Sequence, residues 1–399
     1  MEFSPIVLDS ISPDNFPAVE LYVKQDKGFT LYKPQDSDLS ARNVEGMRDN
    51  GTEYLYINAA NSDTVQENLE RNLKGIFSSR TLPQSSKNLI FCHTIINGVT
   101  HVFKNPGNAD AFLKCRSVLD QKFSLKFENI SELLNLLSKL EQQYERYLIV
   151  HTTQVAILSM YLYEKLFDAK QDELVEIGLG AMLHDIGMLN ISSSIIEKND
   201  GLTESEYHKV KTHPRHGHDV LYHMGIKEQV PLDIALDHHE RYDGSGYPRG
   251  LSEHRIPRHA MVVAICDIYC ALTMNRPYKG ASTPQQALKT MKIEKKLFDP
   301  AIFEGFLEIM NDTYHQEDQV ETEQKSITTM SLAGNSGKIL ELRRELKNAQ
   351  DDRQKLLKLH SVVIDCINEA YGEEKEAFVA FRTELTNLLN SMSAAVKQN

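Results

Sequence analysis

The residues of this chain best suited to chemistry are histidines and aspartates, and they crowd into one stretch. Eleven of the fifteen histidines lie between His151 and His259. His184 and Asp185 close an apolar run, LGAMLHDIG, so an imidazole and a carboxylate stand side by side at the end of a helical pattern. Such a doublet alone has a plainer meaning, a helix-terminal His with an Asp cap. That meaning weakens beside His151, His213, His238, His239 and Asp267, each on or next to a further helical pattern. Mixed imidazole and carboxylate donors suit iron, manganese or zinc, whereas all-oxygen shells suit calcium or magnesium. A carboxylate such as Asp185 can bridge two ions. Two ions about 3.5–4 Å apart can hold a hydroxide and clamp the oxygens of a phosphate undergoing in-line displacement. The chemistry expected is therefore metal-assisted hydrolysis of a phosphate ester.

Four strings in order, HDIG, HPRHG, HHERYDGSGYP and CDIYCAL, together with His151 in HTTQVA, resemble the pattern of HD-GYP domains. These form a subset of the HD phosphohydrolase superfamily and typically hydrolyse the bacterial second messenger cyclic di-GMP. The resemblance spans roughly residues 140–315. It implies that His151, His184, Asp185 and Asp267 bind one metal and that His213, His238 and His239 bind a second, with Asp185 bridging. Asp185 and His184 are the implied catalytic pair, and the cofactors two divalent transition-metal ions, Fe or Mn. A third metal in some members uses a Glu one turn before the first His. That position here is Tyr147, which favours two ions, and Glu145 is poorly placed by helix geometry. Gly244, Gly246, Tyr247 and Pro248 match the loop that names the family, with Gly246 and Tyr247 expected at the substrate. Glycine there permits positive φ and close backbone approach. Asp243 and Glu240 are expected to orient the loop or a ligand His. Arg276 and Lys279 match basic positions that contact substrate phosphate in the family. One departure stands out: Met188 occupies the position of a Lys that usually follows HDxG. The implied activity is hydrolysis of cyclic di-GMP to linear pGpG, GMP or both. The alternative is a catalytically weakened sensor or scaffold that binds metal and cyclic di-GMP.

These residues must be positioned by helices. ISELLNLLSKLEQQYERYLIVHTTQVAILSMYLYEKLF repeats apolar residues at three- and four-residue intervals, which predicts two or three helices. DELVEIGLGAMLHDIGML predicts another with an Asp172 cap, and TESEYHKVKTHPRHGHDVLYHM one opened by Thr203 and Glu206 and interrupted by Pro214. VPLDIALDHHERYDGSGYP predicts a helix entering a glycine-rich loop, and HAMVVAICDIYCALTMN a last one ending before Pro277. The texture before residue 126 differs. AVELYVKQDKGFTLYK and EYLYINA read as strands, the first pair turning at Gly28. SDTVQENLERNLKGIF reads as an amphipathic helix capped by Ser62 or Asp63. NLIFCHTIINGVTHVFK reads as two strands turning at Asn97-Gly98. His93 and His101 have no partners at metal spacing.

The fold class expected is multidomain, a small α/β N-terminal module followed by an all-α HD-GYP domain and a C-terminal helical tail. The divisions are 1–125, an input or regulatory module lacking the acidic pocket of a phospho-receiver; 126–315, the metal-dependent domain; 316–337, a polar linker; and 338–399, helical. Apolar positions Ile339, Leu342, Leu346, Leu356 and Leu359 give the tail a face for a partner helix. A homodimer or a signalling partner could use that face, the N-terminal module or the GYP loop.

Charge and composition narrow the partners. The formal net charge is −12, which disfavours nucleic acid polymers, though bound metal can reverse the local field for a small anionic substrate. The five cysteines form no framework, and Cys266 and Cys270 read as buried thiols. With no secretory leader and no apolar run near the ~20 residues a membrane span needs, the expectation is cytoplasmic.

Overall fold

A computed structural model describes residues 2–25, 28–120, 126–144, 146–196, 198, 201–275 and 280–311. Arg276, Lys279 and the expected linker and helical tail lie outside the described residues.

Four strands open the chain: β1 (Phe3–Val7), β2 (Leu21–Gln25), β3 (Gly28–Lys33) and β4 (Tyr54–Asn58). They pair antiparallel in the order β1-β4-β2-β3. Alternation in LYVKQ and GFTLYK predicts β2 and β3, and Gly28 takes φ +131° where β3 begins. The strand β1 was not read from the sequence, since Pro5 interrupts its pattern. One face of the sheet buries Ile6, Leu21, Leu55 and Ile57 with Val44 and Met47 of α1 (Ala41–Asp49) and Val65 of α2 (Ser62–Ser78). Asn61 precedes α2 as its cap residue, and neither Ser62 nor Asp63 fills that place.

The expected strand pair over NLIFCHTIINGVTHVFK is instead one helix, α3 (Gln84–Lys104). Its β-branched residues and the Asn-Gly pair imitate a hairpin. Residues Asn88 to Ile96 are all buried, so no polar face marks the helical period. Gly98 is a packing position rather than a turn: a Cβ there would come 2.6 Å from Cys115 Sγ on α4 (Ala109–Leu119).

Eight helices carry the next part. They are α5 (Ile130–Gln143), α6 (Tyr147–Phe167), α7 (Gln171–Leu183), α8 (Ser193–Ile196), α9 (Glu204–Val210), α10 (His213–His223), α11 (Gln229–Asp237) and α12 (Arg258–Thr273). After them come α13 (Pro284–Ile293) and a helix over 300–311. At the centre lies α6, buried continuously from Ile149 to Tyr163. It packs on α3, α5, α7 and α12, and α11 packs on α7, α10 and α12. Thr203 and Glu206 form the expected capping box of α9. Pro214 stands in the first turn of α10, where a missing N–H costs nothing, so the interrupted pattern is two helices. Asp172 lies in the first turn of α7, and Lys170 holds the cap position. Cys92, Cys115, Cys266 and Cys270 are buried free thiols. Among the described residues no helix is long and apolar enough to cross a membrane.

Beside the His and Asp cluster, α7 and α11 pack closely. A Cβ on Gly180 would come 2.6 Å from Ile234 Cδ1 and 3.0 Å from Pro231 Cα. Gly180→Val is therefore expected to push α11 outward and to cost about 1–3 kcal/mol of stability, read as a lowered denaturation midpoint.

Candidate metal centre

Three of the candidate histidines sit where a helix has just ended. The last carbonyls of a helix have no intrahelical donor, and an imidazole N–H can supply one. His184, following α7, directs Nδ1 to Ala181 O at 2.7 Å. His213, just beyond α9, directs Nδ1 to Val210 O at 2.8 Å, and His238, following α11, directs Nδ1 to Ile234 O at 3.0 Å. A carbonyl only accepts, so each Nδ1 carries the proton and each neutral ring turns its Nε2 lone pair inward.

Those lone pairs converge on Asp185. Its Oδ1 lies 3.1 Å from His213 Nε2 and 3.7 Å from His238 Nε2, and its Oδ2 lies 3.5 Å from His184 Nε2. Two groups of donor atoms result, each within 4.8 Å of one another: Asp185 with His213, His238 and His239, and Asp185 with His151 and His184. Asp267 on α12 closes the second group, with Oδ1 3.0 Å from His151 Nε2 and 4.0 Å from His184 Nε2. The structure thus brings all seven candidate ligands together from five helices and the turns that follow them.

The donor set fits a divalent metal. Nε2 of His213 and His238 stand 3.2 Å apart with both Nδ1 atoms already committed as donors. Two lone pairs so placed repel unless a proton or a cation lies between them. Among the described residues His184 Nε2, His239 Nδ1 and His151 Nδ1 are buried with no hydrogen bond, which is costly for polar atoms unless something else satisfies them. Burial works to raise Asp185, but its interactions with His184, His213 and His238, the His213 hydrogen bond among them, outweigh it and hold the carboxyl well below its usual range. Burial likewise opposes the shift of Asp267, which His151 and His184 bring down to about 2. Burial, and then repulsion from neighbouring rings, keeps His238 and His239 well below the ordinary imidazole value. His213 moves the other way, because its bond to Asp185 overcomes its burial. Ionised carboxylates and neutral imidazoles are the ligating forms, so a metal bound here would displace the proton that His213 otherwise shares with Asp185.

The loop after His239 is built on the ligand pair. Tyr247 N donates to His239 O at 3.2 Å, and the two rings lie 4.8 Å apart. Gly246 passes so near the chain that a Cβ would come 2.5 Å from Glu240 Cα, and Gly244 takes φ +78°. Glu240 is buried and holds the loop's return, accepting from Arg249 N at 2.6 Å and Leu251 N at 2.9 Å. Asp243 accepts from Ser245 N at 3.0 Å and pairs with Lys296 at 3.4 Å. Both carboxylates therefore serve the loop, not a ligand ring.

Sequence reasoning missed several positioning residues. A Cβ on Gly187 would run into the His213 carbonyl and come 2.5 Å from Gly217 N. The glycines of HDIG and HPRHG thus interlock, and that contact brings His213 to Asp185. Their repeated placement three and four residues after a candidate ligand was the available signal. Buried Asp237, paired with Arg249, ties the loop to α11. Tyr147 stacks on His151 with ring centroids 5.5 Å apart and planes 8° from parallel. His93 is engaged by Tyr144 and Asn97, and His101 pairs with Asp63 at 2.9 Å, so neither joins the cluster.

With this geometry in place, comparison with known proteins is informative. Residues 131–302 match the HD domain family. A cyclic di-GMP phosphodiesterase of Thermotoga maritima is 32% identical over 239 residues, covering 58% of this chain and 64% of that protein. The cyclic di-GMP phosphodiesterase response regulator RpfG of Xanthomonas campestris is 43% identical over 141 residues, 34% of this chain and 37% of that one. A 3'3'-cGAMP-specific phosphodiesterase of Vibrio cholerae is 33% identical over 172 residues, 43% and 39% of the two chains. The chain thus spans less than two thirds of the length of these relatives. An HDG"Y"P protein of Bdellovibrio bacteriovorus, Bd1817, shares the fold with TM-score 0.56 at 19% identity, covering 79% of this chain and all of that one. The helical part of this chain is thus similar to HD domains, and its HHERYDGSGYP string resembles the HD-GYP pattern.

The interlock of Gly187 with α10 gives a direct test. Gly187→Ala should separate His213 from Asp185, lowering both the thermal midpoint and the metal retained after purification. Elemental analysis beside a melting curve reads both; unchanged metal content would mean that the contact does not set the site.

Proposed function

We propose that this chain is a metal-dependent phosphodiesterase that hydrolyses cyclic di-GMP to linear pGpG, GMP or both. The observation that carries the reading is the convergence of five imidazoles and Asp267 on the single carboxylate of Asp185. Further support comes from relatives whose names state cyclic dinucleotide phosphodiesterase activity.

In this reading His151, His184, Asp185 and Asp267 hold one divalent ion, and His213, His238 and His239 a second, with Asp185 shared. Iron or manganese suits such a donor set. Two ions so held supply an activated water and neutralise charge on the phosphate oxygens. Asp185, kept ionised by the imidazoles around it, fixes the spacing of the two halves of the site. The carbonyl bonds of His184, His213 and His238 keep their Nε2 atoms turned inward through the reaction. Tyr247 and Gly246, pinned to His239, shape the mouth through which the dinucleotide enters. Arg276 and Lys279 are proposed as further phosphate contacts. The N-terminal module, to about residue 125, is proposed as regulatory, with residues 126–315 as the catalytic domain.

A second reading, a sensor that binds cyclic di-GMP without turnover, is favoured by one feature. Met188 lies in the short turn Ile186–Asn190 after Asp185, and brings neither a charge nor a strong hydrogen-bond donor to a position where the family usually has Lys.

Metal-reconstituted protein, assayed with and without oxygen, separates the two. Close to two transition-metal ions per chain are expected, lost on Asp185→Ala. Cyclic di-GMP should be cleaved in preference to nitrophenyl phosphate esters. Metal content near zero after iron or manganese addition would reject the site, and binding without cleavage in any metal state would favour the sensor. Met188→Lys should raise kcat with metal content unchanged. The gain could approach the ~10²–10³-fold typical of a single transition-state donor. A fall in kcat would mean that the position cannot accept a cation.

A further inference from the structure

A file of side-chain hydrogen bonds runs from α2 through α3 to the threshold of α6. It starts at Glu70, whose Oε1 accepts from Gln66 Nε2 at 2.9 Å. Gln66 Oε1 accepts from Asn97 Nδ2 at 2.8 Å, and the same amide nitrogen lies 3.2 Å from His93 Nε2. His93 Nδ1 in turn meets the Tyr144 hydroxyl, with ring centroids 6.1 Å apart. The direction of the file follows from its members. Gln66 spends its NH₂ on Glu70, so its oxygen faces Asn97, and Asn97 must offer NH₂. That group only donates, so Nε2 of His93 accepts and Nδ1 carries the proton to Tyr144. Burial brings the His93 ring down to about 4, which keeps this neutral tautomer at ordinary pH.

Tyr144 lies in the connection between α5 and α6. Its neighbour Gln143 accepts from the Tyr56 hydroxyl at 2.7 Å. Three residues after Tyr144, α6 begins, with Arg146 in the cap position. A guanidinium has no acceptor and cannot cap the free N–H groups there, so the entry to α6 is placed by the chain that leads into it. At that entry Tyr147 stacks on His151, whose Nε2 stands 3.0 Å from Asp267 Oδ1. We infer that His93 is a positioning residue for the metal half-site of His151: by holding Tyr144 through Nδ1–H it sets the entry of α6 and with it the place of His151. This rests on the two-metal reading above. The half-site of His213, His238 and His239 is carried by α10, α11 and the turn after α11. An apolar residue at 93 could fill the same buried place on α3, but only a directional bond selects one position for the connection.

Two isosteres separate the ends of the His93 ring. The amide of His93→Asn sits where Nδ1 was and can still donate to Tyr144. The longer side chain of His93→Gln reaches the place of Nε2 and meets Asn97 instead. Both replace a buried imidazole with a buried amide, so a general loss of packing falls on both. The probe is manganese, titrated calorimetrically into chelator-treated full chain, with a melting curve for each variant. Wild type should bind in two phases, and His151→Ala identifies the phase of its own half-site. His93→Gln should weaken that phase by roughly 10-fold, the low end for residues that orient a ligand, and leave the other unchanged. Tyr144→Phe, which keeps the ring and loses the hydroxyl, should do the same, and it carries the test if His93→Gln does not fold. His93→Asn should retain both phases. Two wild-type phases that His93→Gln and Tyr144→Phe leave unchanged, or that the two isosteres weaken alike, overturn the inference alone. A wild type that binds no manganese overturns the metal reading and this inference with it.

Discussion

The structure turns on how imidazole lone pairs are aimed. His184, His213 and His238 each surrender Nδ1–H to a carbonyl near a helix end, at 2.7–3.0 Å. That single bond does two jobs. It gives a backbone acceptor near a helix end a side-chain donor, and it fixes both tautomer and ring direction, leaving Nε2 to face Asp185. Helix length therefore becomes part of the chemistry. If α7 or α11 ended one residue later, the ring would rotate about 100° around the helix axis and point elsewhere.

Aiming is useless unless the helix ends meet, and here the glycines matter for what they lack. Gly187 lets the turn after Asp185 lie against the backbone at His213, and Gly180 lets α7 approach α11. Gly246 does the same for the loop that follows His239, which Glu240 and the Asp237–Arg249 pair hold in place. A Cβ at these contacts would be a wedge between ligands that must stand within a few ångströms of each other. The buried charge of Asp185 and Asp267 imposes the opposite demand, since carboxylates in a dry interior need cationic or donor partners. Close packing and charge compensation are thus met in the same place by the same few side chains.

The N-terminal sheet touches this arrangement through the junction of α5 and α6. Tyr56 on β4 donates to Gln143 at 2.7 Å, Glu2 pairs with Arg146 at 3.7 Å, and Lys139 pairs with Glu53 at 2.7 Å. Four residues beyond Gln143, Tyr147 stacks on His151. The start of α6, which carries His151, is therefore linked to the sheet module on one side and to the His and Asp cluster on the other.

Much of this was legible in the sequence, for a physical reason. Ligands must be His or Asp whatever surrounds them, and glycines at the loop have no substitute, so HDIG, HPRHG and HHERYDGSGYP stand out residue by residue. Capped helices such as α9, with its Thr203–Glu206 box, also declare themselves locally. Where burial is complete, local pattern fails: α3 has no polar stripe, and its Asn97-Gly98 pair, which imitates a turn, is a contact with Cys115. Proximity across the chain was likewise unreadable. The sequence could name Asp185 and His213, but only folding decides that Gly187 packs on the His213 carbonyl and that Glu141 reaches Asn275, 134 residues away. Residue type is a property of one position, whereas a distance between distant positions is set by how all the intervening helices pack.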